Sequence, residues 1–339
     1  MKTMSNEALI DLKNFGETLP QGKPSAAHIV PAADEARPMP AERLTAGEGA
    51  ARVFFLLCAA ISLGVMLLIV LFIFREAVGL FLAGPEGPAI SLKEFFLSCA
   101  WYPGYDPAEY GTLALVAASL AVTVLAVSLA APLGIGLAIY LACVAGPGVK
   151  EFVKPLVELL ASVPSVVLGF VGMVVIAPFL QSVLDIPSGL NLINAAFLLA
   201  LMATPSIASI GEDALSSVPR EVRDASTALG ATDWETIWRV IVPAAISGLF
   251  TAVILGVGRA LGETMVVLMV AGGSAQIPGS LFDSVRPLTS TLAAEMAETP
   301  IGSRHYQALF AIGGLLFCMT LAFNLLAFGL ERRWKRRAL

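Results

Sequence analysis

The stretch DALSSVPREVRDASTALGATDWETIWRVIVPAAISGLFTAVILGVGRALGE, residues 213–263, determines how the rest of the chain is interpreted. Its first half is charged and amphipathic, although long apolar runs lie on both sides of it. Its second half is an apolar run long enough to enter a membrane, and it carries Arg259 and Glu263. A polar hairpin joined directly to charged residues in an apolar span indicates coupling between an external partner and a buried ion path.

The composition of the whole chain is that of a membrane protein. Of its 339 residues, 57% are hydrophobic and only 14% are charged, and the mean hydropathy is +0.81. Several runs exceed the roughly 20 apolar residues that cross a hydrocarbon core of about 30 Å, and none alternates as barrel strands do. The sequence therefore predicts an all-α polytopic membrane protein and excludes a soluble domain.

The apolar runs predict six spans, with long loops at 75–110 and 273–305. The segment SLKEFFLSCAWYPGY (91–105) predicts a short interfacial helix followed by aromatic residues near the lipid headgroups. Pro164 interrupts the third span, so two half-helices are an alternative to a continuous one. The six predicted ranges are 52–74, 111–143, 156–180, 193–210, 245–272 and 308–330.

The distribution of basic residues predicts the orientation of these spans. Twelve Lys and Arg residues lie near span ends on the side that holds both termini and the hairpin at 211–244, against four on the other side. The positive-inside rule places the first side in the cytoplasm. The expected regions are a disordered cytoplasmic tail at 1–50, a transmembrane domain at 51–335 and a cytoplasmic end at 336–339.

Within the hairpin, turn and capping residues predict two short helices. Pro219 suits the first turn of one helix, and Gly230 can take the left-handed conformation that ends it. Thr232 and Glu235 match a capping box that opens the second helix. Pro243 marks the entry to the fifth span. An ordinary amphipathic loop at the membrane surface is the alternative interpretation.

The residue spacing in this hairpin resembles a cytoplasmic motif of ATP-binding-cassette (ABC) importer permeases. That motif consists of Glu-Ala-Ala, any three residues, Gly and any nine residues. It ends with an aliphatic residue, any residue, a second aliphatic residue and Pro. Here Asp224-Ala225-Ser226 precedes Gly230 by the same spacing, and Val240-Ile241-Val242-Pro243 follows at 240–243. Asp replaces Glu and Ser replaces the second Ala. The resemblance implies that Asp224, Ala225, Ser226 and Gly230 dock on an ATPase subunit.

The charged residues of the fifth span are the candidate substrate path. Arg259 and Glu263 are four apart and could pair on one helical face. An ionisable residue within a span is costly, so its presence indicates a function. An Arg fork is suited to a tetrahedral oxyanion, and a neighbouring Glu could take the Arg back after release. We assign Arg259, Glu263 and the adjacent Thr264 to an anion path; a structural ion pair, or a charge near the membrane interface, is the alternative.

Other chemistries find little support in the sequence. GVGRALG (256–262) lies within an apolar span rather than after a strand, and no phosphate-binding loop motif occurs, so the chain is not predicted to hydrolyse ATP. His28 and His305 are interpreted as loop residues, and the four cysteines as packing residues rather than as disulfides or metal ligands. We expect no catalytic residue, metal, cofactor or nucleic-acid partner.

Five segments together are similar to the PstC-type permease of bacterial phosphate-specific ABC importers, over about residues 52–335. They are the segment with SLKEFF, WYPGY and YGTL (91–113), PSVVLGFVG (164–172), ATPSIASIGEDALSSVP (203–219), RALGETMVVLMVAG (259–272) and SLFDSVRPLTSTLAAEMAE (280–298). The resemblance implies the type I, MetI-like importer permease architecture with a cytoplasmic coupling helix. It also places the chain in a bacterial inner membrane.

The same resemblance implies a set of partners. A second, PstA-type permease would share the translocation path, two cytoplasmic ATPase subunits would hydrolyse ATP, and an extracytoplasmic phosphate-binding protein would deliver the anion. Three alternatives remain. The same architecture could carry sulfate, molybdate or a small polar solute; the chain could be a secondary transporter or channel; or it could be a scaffold or phosphate sensor.

Overall fold

The computed structural model describes residues 46–83 and 89–335. By its internal contacts the chain divides into Met1–Val65 and Met66–Leu339, and the packing described below concerns the second unit. The first helix, α1 (Ala46–Leu80), begins before this division and ends after it. Its membrane-length apolar part is Ala51–Leu80. Residues 1–45 and 336–339, which hold most of the predicted tail and the whole of the predicted C-terminal end, lie outside the described residues.

A small folded segment fills the first predicted loop. The expected short helix is present as α2 (Leu92–Leu97), where the Ser91 hydroxyl accepts a hydrogen bond from the Lys93 amide. Two strands follow, β1 (Trp101–Tyr102) and β2 (Glu109–Tyr110), which pair antiparallel. The expectation that the aromatic residues meet the headgroups is wrong for Trp101, because its indole N–H is bonded inside the protein and the residue is 2% exposed.

The prediction of an all-α membrane protein is confirmed, apart from the two-residue strands β1 and β2. Within the described residues, five helices are long and apolar enough to cross a membrane, or six if one bent pair forms a single span. Long, mostly apolar sequence explains three of them, since the main-chain hydrogen bonds close within each helix. These are α3 (Leu113–Ile139), which continues as a π-helical turn at Tyr140–Val144, α7 (Leu192–Ser216) and α14 (Arg304–Lys335).

The third span starts later than the sequence predicts. Helix α4 (Pro147–Ser162) ends before Pro164, and a new span, Ser165–Leu184, begins after it. That span consists of α5 (Ser165–Val171), a π-helical turn and α6 (Ala177–Leu184). The predicted range 156–180 is therefore wrong at its start, whereas the interruption at Pro164 is confirmed. Val163 adopts an extended conformation, as expected for a residue that precedes proline.

The fifth span is also broken. The hairpin contains α8 (Arg220–Ala228), α9 (Asp233–Thr236), a π-helical turn and α10 (Val242–Ala244), and the chain bends by 69° before α11 (Ile246–Gly262). Glu263 is extended, and α12 (Met265–Val270) starts after it. The predicted continuous helix at 245–272 is therefore wrong, because Gly262 ends the first helical segment.

The second long loop carries α13 (Leu288–Glu295). His305, which the sequence places in a loop, lies in the first turn of α14. His28 lies outside the described residues.

Helix α7 is the centre of the core because small residues on its neighbours allow close approach. A Cβ added at Gly134 of α3 would lie 2.7 Å from the side chain of Ile207 in α7. A Cβ added at Gly256 of α11 would lie 2.6 Å from the same side chain. Ile207 is fully buried. Glycines on both sides thus let α3 and α11 pack directly on α7, as small residues do in membrane helix interfaces.

Candidate functional site

Arg259 lies near two interruptions of helical structure, the break at Pro164 after α4 and the end of its own helix α11. Its Nη1 donates to Ser206 Oγ at 3.0 Å, and its Nη2 donates to the carbonyl of Ala161 at 3.3 Å. Ser206 follows Pro205 inside α7, whereas Ala161 lies at the end of α4, just before the Pro164 break. Arg259 itself is three residues from the end of α11 and is exposed in the isolated subunit.

The predicted ion pair between Arg259 and Glu263 is absent from the described residues. Helix α11 ends at Gly262, so Glu263 does not continue the helical face that carries Arg259. Its carboxylate instead accepts hydrogen bonds from the amides of Met265 and Val266, at 3.2 and 3.5 Å. Glu263 therefore caps α12, a use of carboxylates that the partial positive charge of helix N-termini favours.

Thr264 lies beside a cleft of about 410 Å³, whose lining also includes Gly262, Thr289, Leu292 and Phe310. The Thr289 hydroxyl donates to the carbonyl of Glu263 at 2.9 Å, which attaches α13 to the break between α11 and α12. Of the three residues assigned to the substrate path, Arg259 contacts α4 and α7, whereas Glu263 and Thr264 shape the break that follows α11.

The hairpin at 211–244 has the turn that its sequence predicts. Gly230 adopts φ +85°, a conformation that side chains with a Cβ rarely take, and nothing crowds it. The predicted capping box is confirmed: the Thr232 hydroxyl accepts from the Glu235 amide at 3.3 Å, and the Glu235 carboxylate accepts from the Thr232 amide at 3.1 Å. These bonds start α9 directly after the turn at Gly230.

The four residues assigned to ATPase docking divide into two groups. Asp224, Ala225 and Gly230 are exposed, and Leu229 beside them is 90% exposed. Ser226 is buried. Its hydroxyl shares a 2.9 Å hydrogen bond with the Thr236 hydroxyl and so joins α8 to α9. A shallow cleft of about 490 Å³ lies beside Ala225, Leu229 and Gly230, and residues on both sides of the turn line it.

The hairpin is attached firmly to the membrane helices. Ile237 and Ile241 are buried in a cluster with Ala138 of α3, Leu215 of α7 and Leu249 of α11. Arg223 of α8 donates to the carbonyl of Leu215 at 3.1 Å, close to the end of α7. A displacement of α8 would therefore be transmitted to the helices that surround Arg259.

Sequence reasoning missed a buried carboxylate in α7. Glu212 is 2% exposed and forms ion pairs with Lys150 and Lys154 of α4, at 2.5 and 2.9 Å. The hydrogen bond to Glu212 raises the pKa of Lys154 above its ordinary value, so this lysine stays charged at neutral pH. Two signals were available: an acidic residue at the end of an apolar run, and two lysines spaced i, i+4.

A second carboxylate, Glu295, organises the side of the protein opposite the hairpin. It accepts hydrogen bonds from Arg286 at 2.7 Å, His305 at 2.8 Å and the indole of Trp101 at 3.0 Å. Arg286 and His305 lie 9 and 10 residues from Glu295 in sequence, whereas Trp101 comes from the first long loop, 194 residues away. The sequence contains no direct sign of the contact with Trp101.

Sequence comparisons identify the family of the chain. Residues 134–336 match the family described as "Binding-protein-dependent transport system inner membrane component". The probable ABC transporter permease protein YqgH of Bacillus subtilis is 38% identical over 284 residues, which cover 84% of this chain and 91% of that protein. The phosphate transport system permease protein PstC of Mesorhizobium japonicum is 34% identical over 245 residues, covering 67% and 74% respectively.

Solved structures show the same fold at lower sequence identity. A bacterial ABC transporter involved in the import of the acidic polysaccharide alginate aligns with a TM-score of 0.57 at 15% identity, covering 86% of this chain and 99% of the compared chain. The MetNI methionine ABC transporter, in an inward-facing conformation, aligns with a TM-score of 0.51 at 20% identity, covering 64% and 93%.

These similarities confirm the predicted type I, MetI-like permease architecture, and a transporter permease is not itself an enzyme. The chain therefore belongs to the family of binding-protein-dependent transport system inner membrane components, as a PstC-type permease subunit of an ABC importer.

Proposed function

We propose that this subunit forms part of the path for inorganic phosphate in an ATP-driven importer, and that Arg259 contacts the anion on that path. The names of the PstC relatives support phosphate as the cargo. The main structural support for the proposal is the position of Arg259. Its side chain is exposed, and it donates a hydrogen bond to the carbonyl of Ala161 at the end of α4.

The broken helices near Arg259 are the first argument for a path. Main-chain polar groups released by a helix break are tolerated at membrane depth only against protein or a water-filled cavity. The Pro164 break adjoins the carbonyl that Arg259 contacts, and the Glu263 break follows Arg259 in sequence. Two helix breaks and an exposed guanidinium in one region are typical of a hydrated passage rather than of a lipid-facing surface.

The electrostatics of Arg259 are the second argument. Its two partners, a hydroxyl and a main-chain carbonyl, carry no formal charge. The guanidinium therefore retains a full positive charge that an oxyanion could share through two parallel hydrogen bonds. Neutral partners are also displaced more easily than a carboxylate would be, so binding can remain reversible.

The hairpin supplies the proposed coupling to ATP hydrolysis. We assign Asp224, Ala225 and Gly230, with the neighbouring Leu229, to the surface that an ATPase subunit contacts, and Ser226 to the support of that surface. Exposed apolar side chains beside a rigid turn favour a protein partner. The ATPase dimer, a PstA-type second permease and an extracytoplasmic phosphate-binding protein complete the proposed importer. The hairpin and both termini then lie in the cytoplasm, with residues 1–50 as a tail.

Uptake of labelled phosphate tests this function. The complete transporter, with its partner permease, ATPases and binding protein, is reconstituted in vesicles, and Arg259→Gln is compared with wild type at equal amounts of assembled complex. We expect ATP-dependent uptake in wild type and its near-complete loss in the variant. Unchanged uptake in Arg259→Gln would refute the assignment of Arg259. Selective transport of sulfate or molybdate by wild type would identify another oxyanion as the cargo.

A further inference from the structure

Glu212 is a buried charge that the proposed substrate path does not use. It lies in α7, six residues after Ser206, and its carboxylate receives both Lys150 and Lys154. The side chain of Glu212 is 3% exposed, whereas those of the two lysines are 37% and 36% exposed. The carboxylate is thus enclosed, while both ammonium groups lie partly in solvent.

This arrangement fixes the position of α4. Helix α4 has no buried residue of its own, so apolar packing holds it weakly. Two lysines one turn apart converge on one fixed carboxylate, which restrains both the rotation of α4 and its movement along α7. Removing one partner from a buried ion pair leaves an uncompensated charge, so the contact resists separation.

The opposite end of α4 contacts Arg259. The carbonyl of Ala161, three residues before Pro164, accepts the hydrogen bond from Nη2 of Arg259. The other partner of Arg259, Ser206, belongs to the same helix as Glu212. Helices α4 and α7 are therefore joined twice: by the ion pairs at Glu212 and through the guanidinium of Arg259.

We propose that Glu212, with Lys150 and Lys154, is a positioning device that sets α4 against α7 and thereby controls when Ala161 holds Arg259. The inference rests on the proposed function of Arg259. Because Arg223 bonds α8 to the end of α7 at Leu215, motion of the hairpin reaches Glu212 within one turn of helix. Through the ion pairs α4 then moves together with α7, and this joint movement withdraws Ala161 and Ser206 from the guanidinium of α11.

The number of phosphate ions transported per ATP hydrolysed tests this role. Both quantities are measured in the same vesicles containing the complete transporter, at a fixed amount of assembled complex. Glu212→Gln is compared with Glu151→Gln, which makes the same substitution at an exposed position of α4. We expect the ratio to fall at least about fivefold in Glu212→Gln, a typical lower bound for coupling between sites, and to stay at the wild-type value in Glu151→Gln.

Conservative variants separate positioning from simple stabilisation. Glu212→Asp keeps the charge on a shorter side chain, and we expect it to restore most of the ratio. If Glu212→Gln does not assemble, Lys150→Gln and Lys154→Gln decide, since each leaves one lysine on the carboxylate and should lower the ratio by an intermediate amount. An unchanged ratio in every assembled variant of Glu212, Lys150 and Lys154, or an equal fall in Glu151→Gln, would overturn the inference. Wild-type vesicles that move no phosphate would instead refute the proposed function.

Discussion

At the scale of single residues, the protein treats its buried and exposed charges in opposite ways. Glu212 is enclosed and receives two cations, which is the arrangement expected of a charge that must remain in place. Arg259 is exposed and contacts only a hydroxyl and a carbonyl. Glu263, which could have neutralised Arg259, is directed to the amides of α12. The charge of Arg259 is therefore kept available.

Replacing Arg259 with lysine tests whether the fork geometry matters as well as the charge. A single ammonium cannot reproduce two parallel hydrogen bonds to one anion. Losing one charge-assisted hydrogen bond costs about 1.5 kcal/mol or more, which corresponds to roughly a tenfold fall. We expect phosphate uptake in Arg259→Lys to fall by about that factor and to remain above that of Arg259→Gln. Equal activity of Arg259→Lys and wild type would show that charge alone suffices.

At the scale of secondary-structure elements, short turns with marked residues were predictable and helix breaks were predictable only in part. The capping box at Thr232 and Glu235 and the left-handed Gly230 depend on neighbours in sequence, so the sequence contains all that they require. Pro164 likewise predicts the break between α4 and α5 from its own residue type. The break after Gly262 has no proline, and it depends on contacts with distant elements such as the bond from Thr289 to Glu263.

The turn of the hairpin can be tested with Gly230→Ala. An alanine at φ +85° is strained by roughly 1 to 2 kcal/mol, although nothing crowds the added Cβ. We expect the strain to alter the angle between α8 and α9 and to lower co-purification of the ATPase by about 5- to 30-fold if all of it is expressed in docking. Gly104→Ala is the control, because Gly104 is also uncrowded but has no positive φ. Equal recovery of the ATPase in both variants would argue against docking at this turn.

The cluster around Glu295 should contribute to stability rather than to docking of the ATPase. Glu295→Gln removes the ion pair with Arg286 and weakens the contact with His305, at a cost of about 1 to 3 kcal/mol. We expect the melting temperature of the purified subunit complex to fall by several degrees, with ATPase co-purification unchanged. The exposed Glu298→Gln provides the matched control. A melting temperature that is equally low in both variants would contradict this role.

At the scale of the whole molecule, composition and apolar run length were sufficient to predict the class of fold. They predicted the number of spans within one, and the motif in the hairpin indicated the family to which the chain belongs. The site was less accessible. The predicted contact between Arg259 and Glu263 assumed a continuous helix, and the true partners, Ser206 and Ala161, lie 53 and 98 residues away in sequence. Such contacts follow from how α4, α7 and α11 pack together, which local periodicity does not specify.

We propose that Arg259 faces a hydrated anion path bounded by broken helices. Thiol labelling can test this position of Arg259, with single cysteines introduced at Ser162, Ser206 and Gly262 in a complete transporter whose native cysteines have been replaced. We predict that a charged, membrane-impermeant reagent modifies these positions in opened vesicles and that inorganic phosphate slows the modification. A cysteine at the exposed, apolar position Leu133 of α3 should react with an apolar reagent only. Reaction of the first three positions with the apolar reagent alone, with no effect of phosphate, would show that Arg259 does not face such a path.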